Sequence, residues 1–372
     1  MDFTATELQQ DAIALAAMVF KNECTPERLK AVEAREDRFD AQTWQRCGEA
    51  GLLGLALPHD HTGSGMGLLE LCRVLIETGR HLAPVPIATH VPTAMAIARF
   101  GTTAQQAMWL EGAASGQVVI APAIAEERAH VPEFPETRAD NDGTNWQLSG
   151  TKTVVPSATI AELFVVPAMT LDGPTAFLVH PDDPGVTVLP QRVSGGDQLG
   201  QLQLERAVIP MDRHLGTVGQ GDEVVRWLEQ RLIVSACALQ LGTLKGALDL
   251  TASYARSREQ FGRPIGTFQA VSQRLADGYI DVLGAELTLW QAAWRLDEGL
   301  PAEKEVSGAK LWAADAGHRI AHTTVHVHGG VGIDLDGEAH RYFTRAKVNE
   351  FTLGGATDHA RHIGRLLAAE PV

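Results

Sequence analysis

The histidines, arginines and glycines of the C-terminal half are where this sequence could do chemistry. His318, His322, His326, His328 and His340 fall in one stretch, and His318 and His322 are four apart, a spacing that puts two metal ligands on one helix face. No Cys or carboxylate nearby completes a convincing set, so a helix face or a partner interface is the expected role. Arg258 opens the word Arg258-Glu-Gln-Phe-Gly-Arg-Pro-Ile-Gly-Thr-Phe-Gln269, and a guanidinium there can donate charge-assisted hydrogen bonds. Gly329 and Gly330, further on, would let the backbone come close to a ligand. Each also has a plainer reading: Arg258 as a helix-end cation, Phe261 and Phe268 as core aromatics, Gly329-Gly330 as a helix-ending turn. Trp290 and Trp294, four apart, read as helix packing. Cys24, Cys47, Cys72 and Cys237 form no CxxC pair and match no common zinc spacing, so they read as reduced thiols of a cytosolic protein.

Composition narrows the class. The 372 residues allow two or three domains, and 45% hydrophobic with 21% charged residues describes a globular chain. A net charge of −15 repels phosphate backbones and speaks against nucleic acid, while leaving room for a local basic pocket. The N-terminus lacks a basic region followed by an apolar run, so no signal peptide is expected. No window approaches about 18 uninterrupted apolar residues, so neither a transmembrane helix nor membrane insertion is expected.

The elements that must position these residues follow from patterning. Thr4 is a candidate cap for a first helix through Ile13, Leu15 and Val19, and helices follow over about 41–50, 68–79, 92–100 and 104–114. Strand-like runs begin with Val118–Ala125. After a polar, Pro-containing stretch, 126–143, they continue at 146–148, 163–166, 176–179, 186–189 and 202–209. Long helices are predicted over 223–256, 266–298, 302–328 and 338–350, with a short last one from about Thr357. This order gives an α+β fold with a helical domain (1–117), a middle β-barrel or sandwich domain (118–215) and a C-terminal helical bundle (216–372).

The first word resembles the R-x-x-F-G-x-P-I-x-x-F-Q stretch of acyl-CoA dehydrogenases. His326-Val-His-Gly-Gly-Val-Gly332 resembles their Q-x-x-G-G-x-G loop. Leu148-Ser-Gly-Thr-Lys152 and Val208-Ile-Pro210 are similar to words of the same family, and the likeness spans essentially the whole chain. Leu275-Ala-Asp-Gly-Tyr-Ile-Asp281 and Phe351-Thr-Leu-Gly-Gly-Ala-Thr357 look like the base-lacking subunit of the α2β2 steroid side-chain enzymes of actinobacteria.

The resemblance implies an FAD-dependent dehydrogenation in which a carboxylate takes the α-proton and the flavin takes the β-hydride. It also implies where this chain departs. The usual Glu falls on Leu353 when counted without a gap from the Gly-Gly loop, and on Gly354 when aligned on the following words; neither accepts a proton. The base position that other members use on the preceding long helix falls on Leu232, leaving Glu229 as the only substitute, with a solvated charge beside Arg226 and Gln230 as its plainer reading. The flavin-ring words are altered: Ala125-Glu-Glu-Arg128 stands for a Thr-Glu-Pro-like word, and Pro156 stands where a hydroxyl is usual, with Ser157 beside it. The dinucleotide end is kept: Arg258 for pyrophosphate, Gln260, Phe261 and Gln269 for the adenosine side, Gly329 and Gly330 for close approach, and His326 in place of the usual Gln. The implied assembly is an α2β2 heterotetramer with a homologous subunit that carries the Glu. FAD is shared across the interface, the substrate is an acyl-CoA, and an electron-transfer flavoprotein is the acceptor.

Overall fold

The computed structural model describes residues 4–127, 131–197 and 199–369. Helices run in the order α1 (Glu7–Glu23), α2 (Pro26–Glu33), α3 (Ala41–Glu49), α4 (Leu68–Arg80), α5 (Ile87–Phe100) and α6 (Thr103–Ser115). Strands follow: β1 (Ile120–Pro122), β2 (Arg138–Asn141), β3 (Asn145–Pro156), β4 (Leu163–Thr170), β5 (Gly173–Val179), β6 (Val186–Gln191), β7 (Leu199–Pro210) and β8 (His214–Leu215). Then come α7 (Gly221–Ser257), the short strands β9 (Glu259–Gln260) and β10 (Arg263–Pro264), α8 (Gln269–Asp297), α9 (Glu303–His328), α10 (Ala339–Phe351) and α11 (Ala356–Ala369).

Two compact units emerge, and neither is continuous in sequence. The first joins the N-terminal segment through Leu29, Leu68–Ala83 and Ile233 onward. Here α4 packs on α7 through glycines: a Cβ on Gly79 would overlap the Leu239 carbonyl, and one on Gly242 would overlap that of Ile76. Such close backbone approach tolerates no added methylene. A Gly242→Ala chain is expected to lose about 1–3 kcal/mol of stability or more, read as a lowered urea midpoint. The second unit holds Lys30–Gly67 and Pro84–Leu232. Its mixed sheet has the order β6-β7-β3-β2-β4-β5-β8, with β1 pairing parallel to β4, Ile120 opposite Leu163. Its apolar interior includes Leu148, Phe164, Phe177, Leu202 and Ile209.

Several expectations are corrected. The first helix is capped by Thr6, not Thr4: Thr6 and Gln9 form a reciprocal capping box, whose spacing is the local signal. The fifth helix starts at Ile87 and carries Pro92 inside, because burial of Ile87, Val91 and Ala94 outweighs one lost backbone bond. β2 lies in the stretch expected to be loop; it pairs with β3 around Asp142-Gly143, Asn141 facing Trp146. α2 and β8 have no counterpart among the expected elements. By length and composition α7 could cross a membrane, against expectation, but most of its apolar window is buried in the protein.

Candidate functional site

The Arg258 word folds into a ribbon. Arg258 N–H donates to Tyr254 O (2.8 Å), closing α7, and Ile265 N–H donates back to Arg258 O (2.8 Å). Between them β9 and β10 pair, Arg263 opposite Gln260, around Phe261 (φ 55°) and Gly262 (φ 76°). Two consecutive positive φ values are what a two-residue hairpin turn demands. Phe261 is therefore no core aromatic: it is 94% exposed, its ring edge-on to Phe268 at 6.1 Å, and the Arg263 guanidinium lies 4.1 Å above Phe268. Arg258, Gln260 and Gln269 are exposed as well.

α9 ends at Gly329 (φ 65°), whose N–H returns to His326 O and Val325 O. Gly329 thus stops the helix, as the plainer reading held, and no atom lies within 4 Å of where a Cβ would stand on Gly329 or Gly330. That open backbone suits close approach of a ligand. His326 is exposed, whereas His328 is buried, and its ring stacks on Tyr254 at 4.3 Å while Nδ1 donates to Thr324 O (2.8 Å). The stack fixes the end of α9 to α7 one turn before Arg258. His328, expected on a helix face or a partner interface, is instead buried against Tyr254, a residue for which the sequence suggested no such contact.

Where the sequence count expects the usual base, Leu353 (φ 57°) and Gly354 (φ 94°) form a left-handed turn. The neighbouring acids are engaged elsewhere. Glu350 lies 3.3 Å from His318 and 2.5 Å from Lys347, and Asp358 accepts the Gly355 N–H at 3.0 Å. Leu232 is buried on α7. Glu229 is half-buried, and burial with the nearby Glu133 carboxylate pushes its carboxyl up to about 7. Arg226, its neighbour in the sequence reading, reaches Glu133 (3.8 Å) and Asp222 (3.4 Å).

On the β side, Glu126 and Lys152 form a buried pair at 2.6 Å, their side chains 4% and 0% exposed. Glu126 also accepts from Glu136 N–H (2.6 Å), Thr137 N–H (3.0 Å) and Thr137 Oγ1 (2.5 Å). Burial alone would push Glu126 up, but Lys152 and these donors hold it below the usual carboxylate range. Burial brings Lys152 down to about 8. Pro156 closes β3, and Ser157 is buried at φ 55°, its carbonyl accepting from Ile160 (3.0 Å) and Ala161 (2.9 Å). Arg128 of the altered word lies outside the described residues. Among the described residues no group of three His, Cys, Asp or Glu is arranged to hold a metal ion. The His318 and His322 rings sit 4.6 Å apart, with Lys347 Nζ 3.0 Å from His318.

Family models cover this architecture almost end to end: the acyl-CoA dehydrogenase N-terminal domain matches residues 6–117, the middle domain 126–207 and the C-terminal domain 219–367. The chain belongs to the acyl-CoA dehydrogenase family, FAD-dependent oxidoreductases. Among its relatives, acyl-CoA dehydrogenase FadE27 of Mycobacterium tuberculosis is 45% identical over 380 residues, covering 100% of both chains. A chain of the crystal structure of the ChsE4-ChsE5 complex from Mycobacterium tuberculosis is likewise 45% identical, with a TM-score of 0.95 and full coverage of both. A chain of a Tcur3481-Tcur3483 steroid ACAD variant is 40% identical at a TM-score of 0.91, covering 97% of this chain and 98% of that one.

Proposed function

We propose that this chain is the base-lacking subunit of a heteromeric acyl-CoA dehydrogenase that introduces an α,β double bond into the CoA thioester of a steroid side chain. The observation that carries this reading is the pairing of a kept dinucleotide end with a vacated base. Arg258, Gln260, Phe261, Gln269 and Gly329-Gly330 stand exposed, while Leu353 and Gly354 have no group to accept a proton. When bound, FAD supplies the hydride acceptor. This chain's part is to hold its far end: Arg258 offers the pyrophosphate charge-assisted hydrogen bonds, Phe261 offers a ring face to the adenosine side, and the glycines admit the ligand's backbone contacts. The residues fit that end of the group better than its ring end, where Pro156 has no donor and Lys152 is committed to Glu126. The homologous partner would bring the Glu and the ring site, and an electron-transfer flavoprotein would take the electrons.

Other features support a partner. Tyr279, Ile280, Leu283 and Leu287 form an apolar stripe on the outer face of α8, each at least 42% exposed. The similarity to chains of the ChsE4-ChsE5 complex and the Tcur3481-Tcur3483 steroid ACAD motivates both the two-chain assembly and the substrate class. A cytoplasmic enzyme with three domains, divided near 117 and 215, remains part of this reading.

The test is flavin per chain by absorbance, together with native mass, after expression alone and with a candidate partner. About one flavin per pair in an α2β2 species, with little on the chain alone, is the expected result, and Arg258→Ala should lower flavin retention in that complex at least tenfold. One flavin per chain in a homotetramer, bleached by an acyl-CoA, would instead favour the second reading, a self-sufficient enzyme using the half-buried Glu229. A complex equally active on short straight-chain thioesters would remove the steroid assignment. A flavin-free chain that still binds CoA would make it a scaffold.

A further inference from the structure

The vacated turn is held from inside the bundle. Lys310, on α9, is buried, and its ammonium has three protons to donate. All three find backbone carbonyls: Asn349 O at 3.2 Å, Glu350 O at 3.1 Å and Gly354 O at 2.8 Å. The first two are among the orphan carbonyls at the end of α10, where a cation also meets the negative end of the helix dipole. A fourth carbonyl, Leu353 O, lies 2.9 Å from Nε2 of the buried His359 on α11. A carbonyl only accepts, so that nitrogen carries the ring proton. The turn's own bonds complete the set, with Gly354 N–H donating to Phe351 O (3.2 Å) and Gly355 N–H to Asp358 Oδ2 (3.0 Å).

This clamp has a steric consequence. Leu353 is a non-glycine residue at φ 57°, a conformation that costs roughly 1–2 kcal/mol and persists only when its surroundings impose it. Gly354 at φ 94° has His359 Nε2 3.1 Å from where a Cβ would stand, so a side chain there would press on the ring that binds Leu353 O.

We infer that Lys310 and His359 lock residues 352–355 as a fixed part of the bundle, so that in this chain the place of the catalytic base is occupied by a rigid structural clamp that does not respond to acyl-CoA. The inference rests on the reading of that turn as the vacated base position. Burial draws the Lys310 ammonium below the ordinary lysine range, which fits a group enclosed by carbonyls and away from solvent.

Amide hydrogen exchange on the purified complex, resolved for residues 350–358, tests this. Gly354 and Gly355 N–H are expected to exchange at least a hundredfold more slowly than in an unstructured peptide, with the same rates with and without a saturating steroid side-chain CoA thioester. Lys310→Met should speed exchange across 352–355 at least tenfold while α8 amides keep their protection. Should Lys310→Met not fold, His359→Phe removes only the donor to Leu353 O and should give the same local loss. Free-peptide rates in the wild-type turn, unchanged rates in the variants, or a more than tenfold change on adding the steroid side-chain CoA thioester would overturn the lock. A failure of the two-subunit reading would show instead in native mass and flavin count, which this measurement leaves untouched.

Discussion

A Lys152→Met chain is expected to unfold about 3–5 kcal/mol more easily than the wild type, the cost of leaving a buried charge without its partner. Glu126 would stay 4% exposed with the 2.6 Å ammonium contact gone, and Thr137 and the Glu136 amide cannot neutralise it. The same carboxylate ties residues 136 and 137 to the start of β3's neighbour strand β2, so the loss should spread to the pairing of Arg138 with Ser149. Adding Glu126→Gln to Lys152→Met should recover part of the loss, since an amide keeps an acceptor for Thr137 without the charge. Urea midpoints of the two variants decide the matter. Equal midpoints for wild type and Lys152→Met would mean that the pair contributes nothing.

Glu229 should make stability depend on pH in a defined window. Its carboxyl is raised from 4.5 to about 7 by burial and by Glu133, so the folded chain binds more protons than the unfolded one across that range. Stability is then fully present below about 4.5 and is lost as pH rises to about 7, by up to about 3 kcal/mol for one such group. Glu229→Gln removes this one titration, so the stability difference should move in the variant's favour by up to about 3 kcal/mol as pH rises through the window, leaving the variant the more stable at pH 8. Parallel slopes for the two proteins between pH 5 and 8 would show that Glu229 is not the group responsible. The result also bears on the self-sufficient reading, because a carboxyl poised near neutral pH is what a base on α7 would require.

Much of this was legible in the sequence because it is carried by local words. The long helices α7 to α10 each end within three residues of their expected limits, their periodicity being sustained over many turns. The Arg258 word and the Gly329-Gly330 pair stood out for the same reason, and the position expected for the family's base could be counted to Leu353 or Gly354. What escaped notice depends on residues far apart in the chain. Glu126, in the segment after β1, meets Lys152 on β3, and Lys310 sits in an ordinary run of α9 with nothing local to say that its ammonium reaches α10 and the turn beyond it. The ribbon at 259–264 escaped for the opposite reason. Its tip has Phe261 at φ 55°, where Gly or Asn would have announced the turn. Nor does the sequence show that Arg226, near Glu229 in the chain, pairs with Glu133.

Phe261, standing 94% exposed at the tip of its ribbon, bears on the life of the chain before assembly. An exposed aromatic ring and the exposed Tyr279–Leu287 stripe of α8 are the sort of surface that chaperones hold and proteases seek out. On the two-subunit reading proposed above, a chain made in excess over its partner would linger in that condition, so its cellular lifetime should follow the partner's supply. Matched synthesis of the two chains would then be a requirement imposed by a single ring and a single helix face.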